Sequence, residues 1–205
     1  MLGEHSILMG IIISLLFLFI ATLFYPGGSQ QDSNSIGYSW RNNYFSNLFT
    51  EKAINGADNV SRAWAAAGML FLCAGISLFF FQFSERMPAK GSGVIKYFGI
   101  SGSVAAFLTV TPLHDIMVTI SSTLTLVALF YITVFVFMSK LHFFKIFCVA
   151  SLLLFYSCIF IYYSGTGLEI LPVMQKTALL VKILLVLSLH YFTTSADFRL
   201  KETTQ

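Results

Sequence analysis

Residues 6–24 read SILMGIIISLLFLFIATLF, and residues 25–44 read YPGGSQQDSNSIGYSWRNNY. The change of character at Tyr25 decides the fold. The first stretch carries no charged side chain and has the length, about 20 residues, that crosses a hydrocarbon core as an α-helix. The second opens a polar segment that continues to Arg62, and it is the only long polar segment in a chain that otherwise returns to apolar runs. A signal peptide is the competing reading of 6–24. Residues 1–5 hold no Lys or Arg, the apolar run is too long, and Phe24-Tyr25-Pro26-Gly27 is a poor cleavage site. The stretch is expected to stay as an uncleaved span, with Pro26-Gly27-Gly28 turning the chain back over the bundle.

Composition agrees with this beginning. Charged residues make up 10% of the chain, against roughly 25% in a soluble domain. Apolar residues make up 57%. The 205 residues form one domain, 1–205, with no room for a separate soluble module. The net charge of +3 is small, and its scattered basic residues read as topology signals and exclude a nucleic-acid footprint. Cys73, Cys148 and Cys158 lie singly in apolar runs, as small buried residues do.

The expected class is an all-α polytopic membrane protein. It is a six-transmembrane-helix bundle with spans near 6–24, 63–83, 97–113, 116–138, 145–163 and 173–195 and a long extracytosolic first loop, 25–62. Ala63, Ala65, Ala66, Ala67 and Gly68 open the second span with a surface that a neighbour can approach closely. The third span has Gly99 and Ser103, and Gly102 and Ala106, as small-xxx-small pairs, which predicts a central position. A basic loop with Arg86, Lys90 and Lys96 is expected between spans two and three. Lys and Arg number seven in the even loops and the tail (Arg86, Lys90, Lys96, Lys140, Lys145, Arg199, Lys201) and four in the longer odd loops (Arg41, Lys52, Arg62, Lys176). The positive-inside rule then places both termini in the cytoplasm, in a cell membrane of the bacterial inner-membrane kind.

Within loop one, Trp40, Tyr44, Leu48 and Lys52 recur every fourth residue, with Asn43, Asn47 and Thr50 on another face. This spacing predicts a short amphipathic helix in the membrane interface. Asn59-Val60-Ser61 matches a glycosylation sequon close to the bilayer.

The residues able to carry chemistry are few. His114 and Asp115 stand at a tight turn, Pro112-Leu113-His114-Asp115. Asp115, Thr119 and Ser122 then share one helical face. A polar stripe entering a membrane helix faces the bundle interior or a watery cavity. Asp115 and His114 can act there as a general base, or Asp115 can cap the helix start. Lys182 is the one charge deep inside a span, to be paired with Asp115, Glu169 or Asp32 or to snorkel along its helix. Asp32, Trp40, Arg41, Asn43 and Tyr44 are the candidate ligand-binding residues of loop one, with Thr119 and Ser122 below them. His190 reads as a hydrogen-bonded packing residue, and His5 and His142 as surface residues. No HExxH or HxxxH spacing, GxSxG, P-loop or haem motif is present, so the sequence names no metal site and no cofactor.

The residues Tyr25-Pro26-Gly27-Gly28-Ser29, Asp32, Gly37-Tyr38-Ser39-Trp40, Asn43-Tyr44, Ser46, Ser61-Arg62 and Gly68-Met69 resemble a family of uncharacterised six-span prokaryotic membrane proteins, domain-of-unknown-function family 998. His114-Asp115 followed by Val118-Thr119 fits the same pattern. More distantly the layout is similar to the Frag/DRAM/Sfk group of multi-pass proteins linked to lipid handling. The resemblance implies the six-span architecture and brings no activity. A likeness to ceramidase-type membrane hydrolases fails for want of their late His-x-x-x-His pair.

These readings converge on an outward-facing polar pocket with loop one as its lid, Asp32, Arg41, Asn43, His114 and Asp115 at its mouth, and Lys182 at its floor. Its expected partner is a membrane lipid head group or small amphiphile, in a sensing, transfer or accessory role. Two alternatives stay open. One is an intramembrane lipid hydrolase or transferase with His114 or Asp115 as base and Lys182 as anion stabiliser. The other is a structural subunit that packs against protein partners in the membrane.

Overall fold

The computed structural model describes Gly3 and residues 5–198; Arg199 and Lys201, counted above in the basic tail, lie outside them. The fold is all-helical. Six α-helices follow one another: α1 (Ser6–Leu23), α2 (Arg62–Ser84), α3 (Ala89–Leu108), α4 (His114–Met138), α5 (His142–Ser164) and α6 (Leu171–Phe192). Two 3₁₀ turns, Phe45–Leu48 and Ser195–Phe198, complete the described elements. Five helices, α1, α2, α4, α5 and α6, are long and apolar enough to cross a membrane. Their outward faces carry large apolar side chains such as Phe19, Phe130, Ile146, Leu153 and Leu180, all more than half exposed.

Local chemistry sets the helix ends. Pro172 occupies the first turn of α6, where a missing N–H costs nothing. α5 stops at Gly165, whose positive φ of 70° lets its N–H reach the Ile161 carbonyl at 3.1 Å. α3 differs most from expectation. It begins at Ala89, after Pro88, and ends at Leu108, where 97–113 was the expected span. Lys90 and Lys96 therefore lie in the helix and not in a basic loop. The Lys96 ammonium lies 4.3 Å from the centre of the Phe81 ring on α2. At the other end, the hydroxyls of Thr109 and Thr111 donate back to the carbonyls of Ala106 and Leu108, which closes the helix and leaves 109–113 irregular.

Packing runs largely in chain order, each helix against the next. α1 and α2 meet through glycine, so closely that a Cβ on Gly10 would lie 3.5 Å from the Gly75 Cα. α3 sits between α2 and α4, as its small residues predict. Gly99 receives the Phe80 ring of α2, and Gly102 receives Thr125 of α4. Ser121 of α4 donates to the Gly102 carbonyl at 3.0 Å. Small residues at such crossings let van der Waals contact and interhelical hydrogen bonds hold the pair. Phe79, Phe80 and Phe83 form the aromatic centre of the core, with Phe198 edge-on to Phe83.

α6 closes the bundle differently. It meets α5 more than α1 or α2, sets Ile183, Leu185, Val186 and Leu189 in the core, and is held by hydrogen bonds at both ends. At one end His5 Nδ1 and the Tyr191 hydroxyl are 2.9 Å apart, joining the start of α1 to the end of α6. Beside them the Arg86 guanidinium donates to the carbonyls of Leu189, His190 and Thr193 at 3.2, 2.9 and 2.9 Å. These are the carbonyls that a helix end leaves without intrahelical partners. Burial lowers the Arg86 pKa from its ordinary value, and the guanidinium stays charged.

Candidate functional site: a cavity beneath loop one

Residues 24–61 join α1 to α2 and fold mostly on themselves. The amphipathic helix expected around 40–52 is absent; one 3₁₀ turn, Phe45–Leu48, stands in its place. Asparagine side chains explain the difference by competing for the backbone. Asn43 is fully buried; its Oδ1 accepts from the Ser39 N–H at 2.8 Å and its Nδ2 donates to the Gly28 carbonyl at 2.8 Å. Asn47 Oδ1 accepts from the Tyr44 N–H at 2.7 Å. Asn59 Nδ2 donates to the carbonyls of Asn47 and Thr50, so the sequon asparagine is buried in the loop interior. The Tyr25 hydroxyl accepts from the Ile54 N–H, and the Tyr38 hydroxyl donates to the Asn43 carbonyl. Burial raises both phenol pKa values, with neighbouring Tyr25 adding to the shift at Tyr38. Both therefore stay neutral.

α6 fastens this loop over the bundle. Gln175 Oε1 accepts from the Phe45 N–H at 3.1 Å. The Lys176 ammonium donates to the Asn43 carbonyl and to the Pro172 carbonyl, and lies 5.6 Å from the ring centres of both Tyr38 and Phe45. The Tyr44 hydroxyl reaches the Leu168 carbonyl at 3.4 Å.

Beneath the loop lies a cavity of about 250 Å³ to which all six helices contribute. Phe45, Ser46 and Phe49 roof it, and its walls are mainly aliphatic and aromatic. His114, Gln175, Ser103, Ser121, Ser122, Thr125, Cys73 and Lys182 supply its polar groups. A second cavity of about 290 Å³, bordered by Glu51, Arg62 and Thr111, shares Ser46, Phe49, Thr109 and His114 with the first.

The sequence candidates divide among three places. Lys182, His114 and Ser122 line the cavity. Asp115 and Thr119 do not: the Asp115 carboxylate is 88% exposed and accepts from His114 Nδ1 at 2.9 Å. It lies in the first turn of α4 without a capping hydrogen bond to the backbone. Thr119 donates to the Asp115 carbonyl or shares its proton with the Tyr163 hydroxyl at 2.6 Å. Among the loop-one candidates, Asn43 and Tyr44 hold the lid in place. Asp32 organises a turn by accepting from the Asn34 N–H. Trp40 packs edge-on against Tyr38 and Phe45 and is half exposed. Arg41 is exposed and makes no hydrogen bond or ion pair among the described residues.

Lys182 is partly buried on the cavity wall and makes no hydrogen bond or ion pair among the described residues. The pairing with Asp115, Glu169 or Asp32 is therefore not formed; its electrostatic neighbour is the Cys73 thiol of α2. His114 makes no hydrogen bond to a serine, threonine or cysteine among the described residues, so its link to Asp115 does not continue to a nucleophile. No group of three or more His, Cys, Asp or Glu side chains comes together among the described residues. Sequence reasoning missed Gln175, Lys176 and Arg86, although the adjacent Gln175-Lys176 pair at the start of an apolar helix was a signal. No family model matches the chain, and no curated protein or solved structure matches it either.

Proposed function

We propose that this chain is a six-span membrane protein, with both termini cytoplasmic and loop one outside, that binds a membrane lipid or small amphiphile in the cavity beneath that loop. Its role is then sensing, transfer or an accessory one. The observation that carries this reading is the cavity itself: apolar walls, a roof sewn to α6, and a cation on the wall with no hydrogen bond or ion pair among the described residues. An ionisable group at such depth is costly and marks a ligand path by default. Apolar walls with a few placed polar groups are the usual make-up of a small-molecule site. The hydrogen bond between His5 and Tyr191 supports an even number of spans, because it brings the start of α1 and the end of α6 to one face. α3, 20 residues long, has a length of about 30 Å at about 1.5 Å per residue, enough for the sixth crossing.

Native mass spectrometry of the detergent-purified protein tests the reading. Wild type and Asp115→Asn should both carry an amphiphile that Lys182→Met has lost, since only Lys182 lines the cavity. If all three carry nothing, or the same loosely held lipids, the binding reading fails. A second reading, an intramembrane lipid hydrolase or transferase, is favoured by one observation, the His114–Asp115 pair with its imidazole on the cavity wall. Turnover of the bound lipid by wild type and not by His114→Gln would select it.

A further inference from the structure

We infer that the ligand of this cavity is a single-chain amphiphile bearing one carboxylate, bound with its acid end inward against the Lys182 ammonium and its chain toward loop one. The inference rests on the reading that the cavity binds an amphiphile, and it specifies which kind and in which direction.

The order of groups along the cavity gives the direction. Phe45 and Phe49 sit at the roof, with His114 in the first turn of α4 and Gln175 in the first turns of α6. Lys182 follows Leu171, the start of α6, by eleven positions, about 16 Å at about 1.5 Å per residue. The one cationic side chain among the described lining residues therefore lies well below the roof. A phospholipid leaves its charged group at the interface, and its acyl chain would pass Leu72, Ile76 and Leu179 with the Lys182 ammonium stranded among them. A chain that enters acid first places its charge beside Lys182 and its carbon atoms along the apolar walls.

The donor inventory gives the chemical class. Ser103, Ser121 and Ser122 spend their hydroxyl protons on the carbonyls of Gly99, Gly102 and Thr119. They cannot donate to ligand oxygens in that arrangement. Lys182 is left as the one cationic donor among the described lining residues, with three N–H groups and one charge; the Gln175 amide N–H and the Thr125 hydroxyl are neutral donors beside it. Two carboxylate oxygens and one negative charge match it. A phosphate dianion would bring a second charge and a third oxygen with no partner, which is costly in a low-dielectric site. Size agrees with a short chain or the head portion of a longer one. The cavity of about 250 Å³ holds on the order of eight heavy atoms if each takes roughly the volume of one water, about 30 Å³.

The test compares two probes of equal chain length, octanoate and 1-octanol. Radiolabelled probe is equilibrated with the full chain in nanodiscs of zwitterionic lipid, and binding to empty nanodiscs is subtracted. Octanoate should bind wild type about tenfold or more tightly than octanol, the ratio expected for one charge-assisted hydrogen-bonded contact. Lys182→Met should abolish that preference. Equal binding of the two probes to wild type overturns the inference, as does a preference that survives in Lys182→Met. The wild-type ratio decides alone if the variant does not fold. Binding of neither probe above empty nanodiscs removes the amphiphile reading itself and this inference with it; equal binding of both removes only the acid-inward orientation.

Discussion

Replacing Asn43 by alanine should open loop one without unfolding the helices beneath it. The Asn43 amide accepts from Ser39 N–H and donates to the Gly28 carbonyl, both at 2.8 Å, with a longer contact of 3.4 Å to Asn47 Oδ1. Truncation removes two good hydrogen bonds, each worth about 1 kcal/mol net. It also orphans the carbonyl of Gly28, which is buried, at about 1–3 kcal/mol. Part of this is recovered if water enters, so about 2–4 kcal/mol of local stability is at stake. At about 1.4 kcal/mol per factor of ten, the loop should open roughly 30 to 1,000 times more often. Hydrogen exchange read by mass spectrometry gives that number directly for peptides within 25–61. Exchange there should quicken by that factor while peptides of α4 and α5 stay unchanged. Asn43→Asp keeps the acceptor but sets a carboxylate against the Gly28 carbonyl, and should cost at least as much. A change below threefold in loop peptides, or an equal change across all helices, would refute the view that Asn43 organises the lid.

Arg86→Met should lower the midpoint of thermal unfolding by an amount corresponding to about 1–3 kcal/mol, because three carbonyls at the end of α6 lose a charged donor. Arg86→Lys should recover only part, since one ammonium cannot reproduce the guanidinium fork; full recovery would refute the capping role. Gly99→Ala should cost about 1–3 kcal/mol by overpacking, as its Cβ would collide with the Phe80 ring. Adding Phe80→Leu should relieve part of that loss, and strict additivity in a double-mutant cycle would contradict the contact. Asp58 hydrogen-bonds Lys52, which lowers its pKa below the ordinary 3.8. Its folded-state value being depressed, the pair helps the loop above the unfolded pKa and ceases to help as pH falls through the folded one. Carboxyl titration by NMR should show Lys52→Met returning Asp58 toward 3.8, and no movement would refute the pairing.

Much of the fold was legible because apolar run length and small-residue spacing are direct statements about a bilayer and about close packing. Gly99 and Gly102 announced the close crossings of α3 with α2 and α4, and Tyr25-Pro26-Gly27 announced the end of α1. The boundaries of α3 were not legible by hydropathy, since Lys90 and Lys96 look like loop residues until Lys96 is seen lying over Phe81. The periodicity of Trp40, Tyr44 and Leu48 misled for a related reason. A helical repeat in the side chains does not form a helix where Asn43 and Asn47 offer the backbone better partners. Of the candidate residues, Lys182 and Ser122, singled out by depth and by the polar stripe of α4, line the cavity. The Asp115 carboxylate was misplaced because spacing reports which face a residue shares, not whether its first turn already stands outside the bundle. Gln175, Lys176 and Arg86 act across more than a hundred residues of sequence, a distance over which no local pattern speaks.

The hydrogen bonds inside loop one have a consequence for the order of assembly. Gly28 with Asn43, Tyr25 with Ile54, and Asn59 with Asn47 all join residues fewer than thirty positions apart. Closing such short loops costs little entropy and is fast. These contacts need nothing beyond Ser61 and the start of α2. During synthesis they can form while α4, α5 and α6 are still unmade. The roof is then in place before the walls, and the last helix to emerge finds Asn43 and Phe45 already presenting the carbonyl and N–H that Lys176 and Gln175 take up. α6 is in this sense a late keystone, set against a template folded from the first third of the chain.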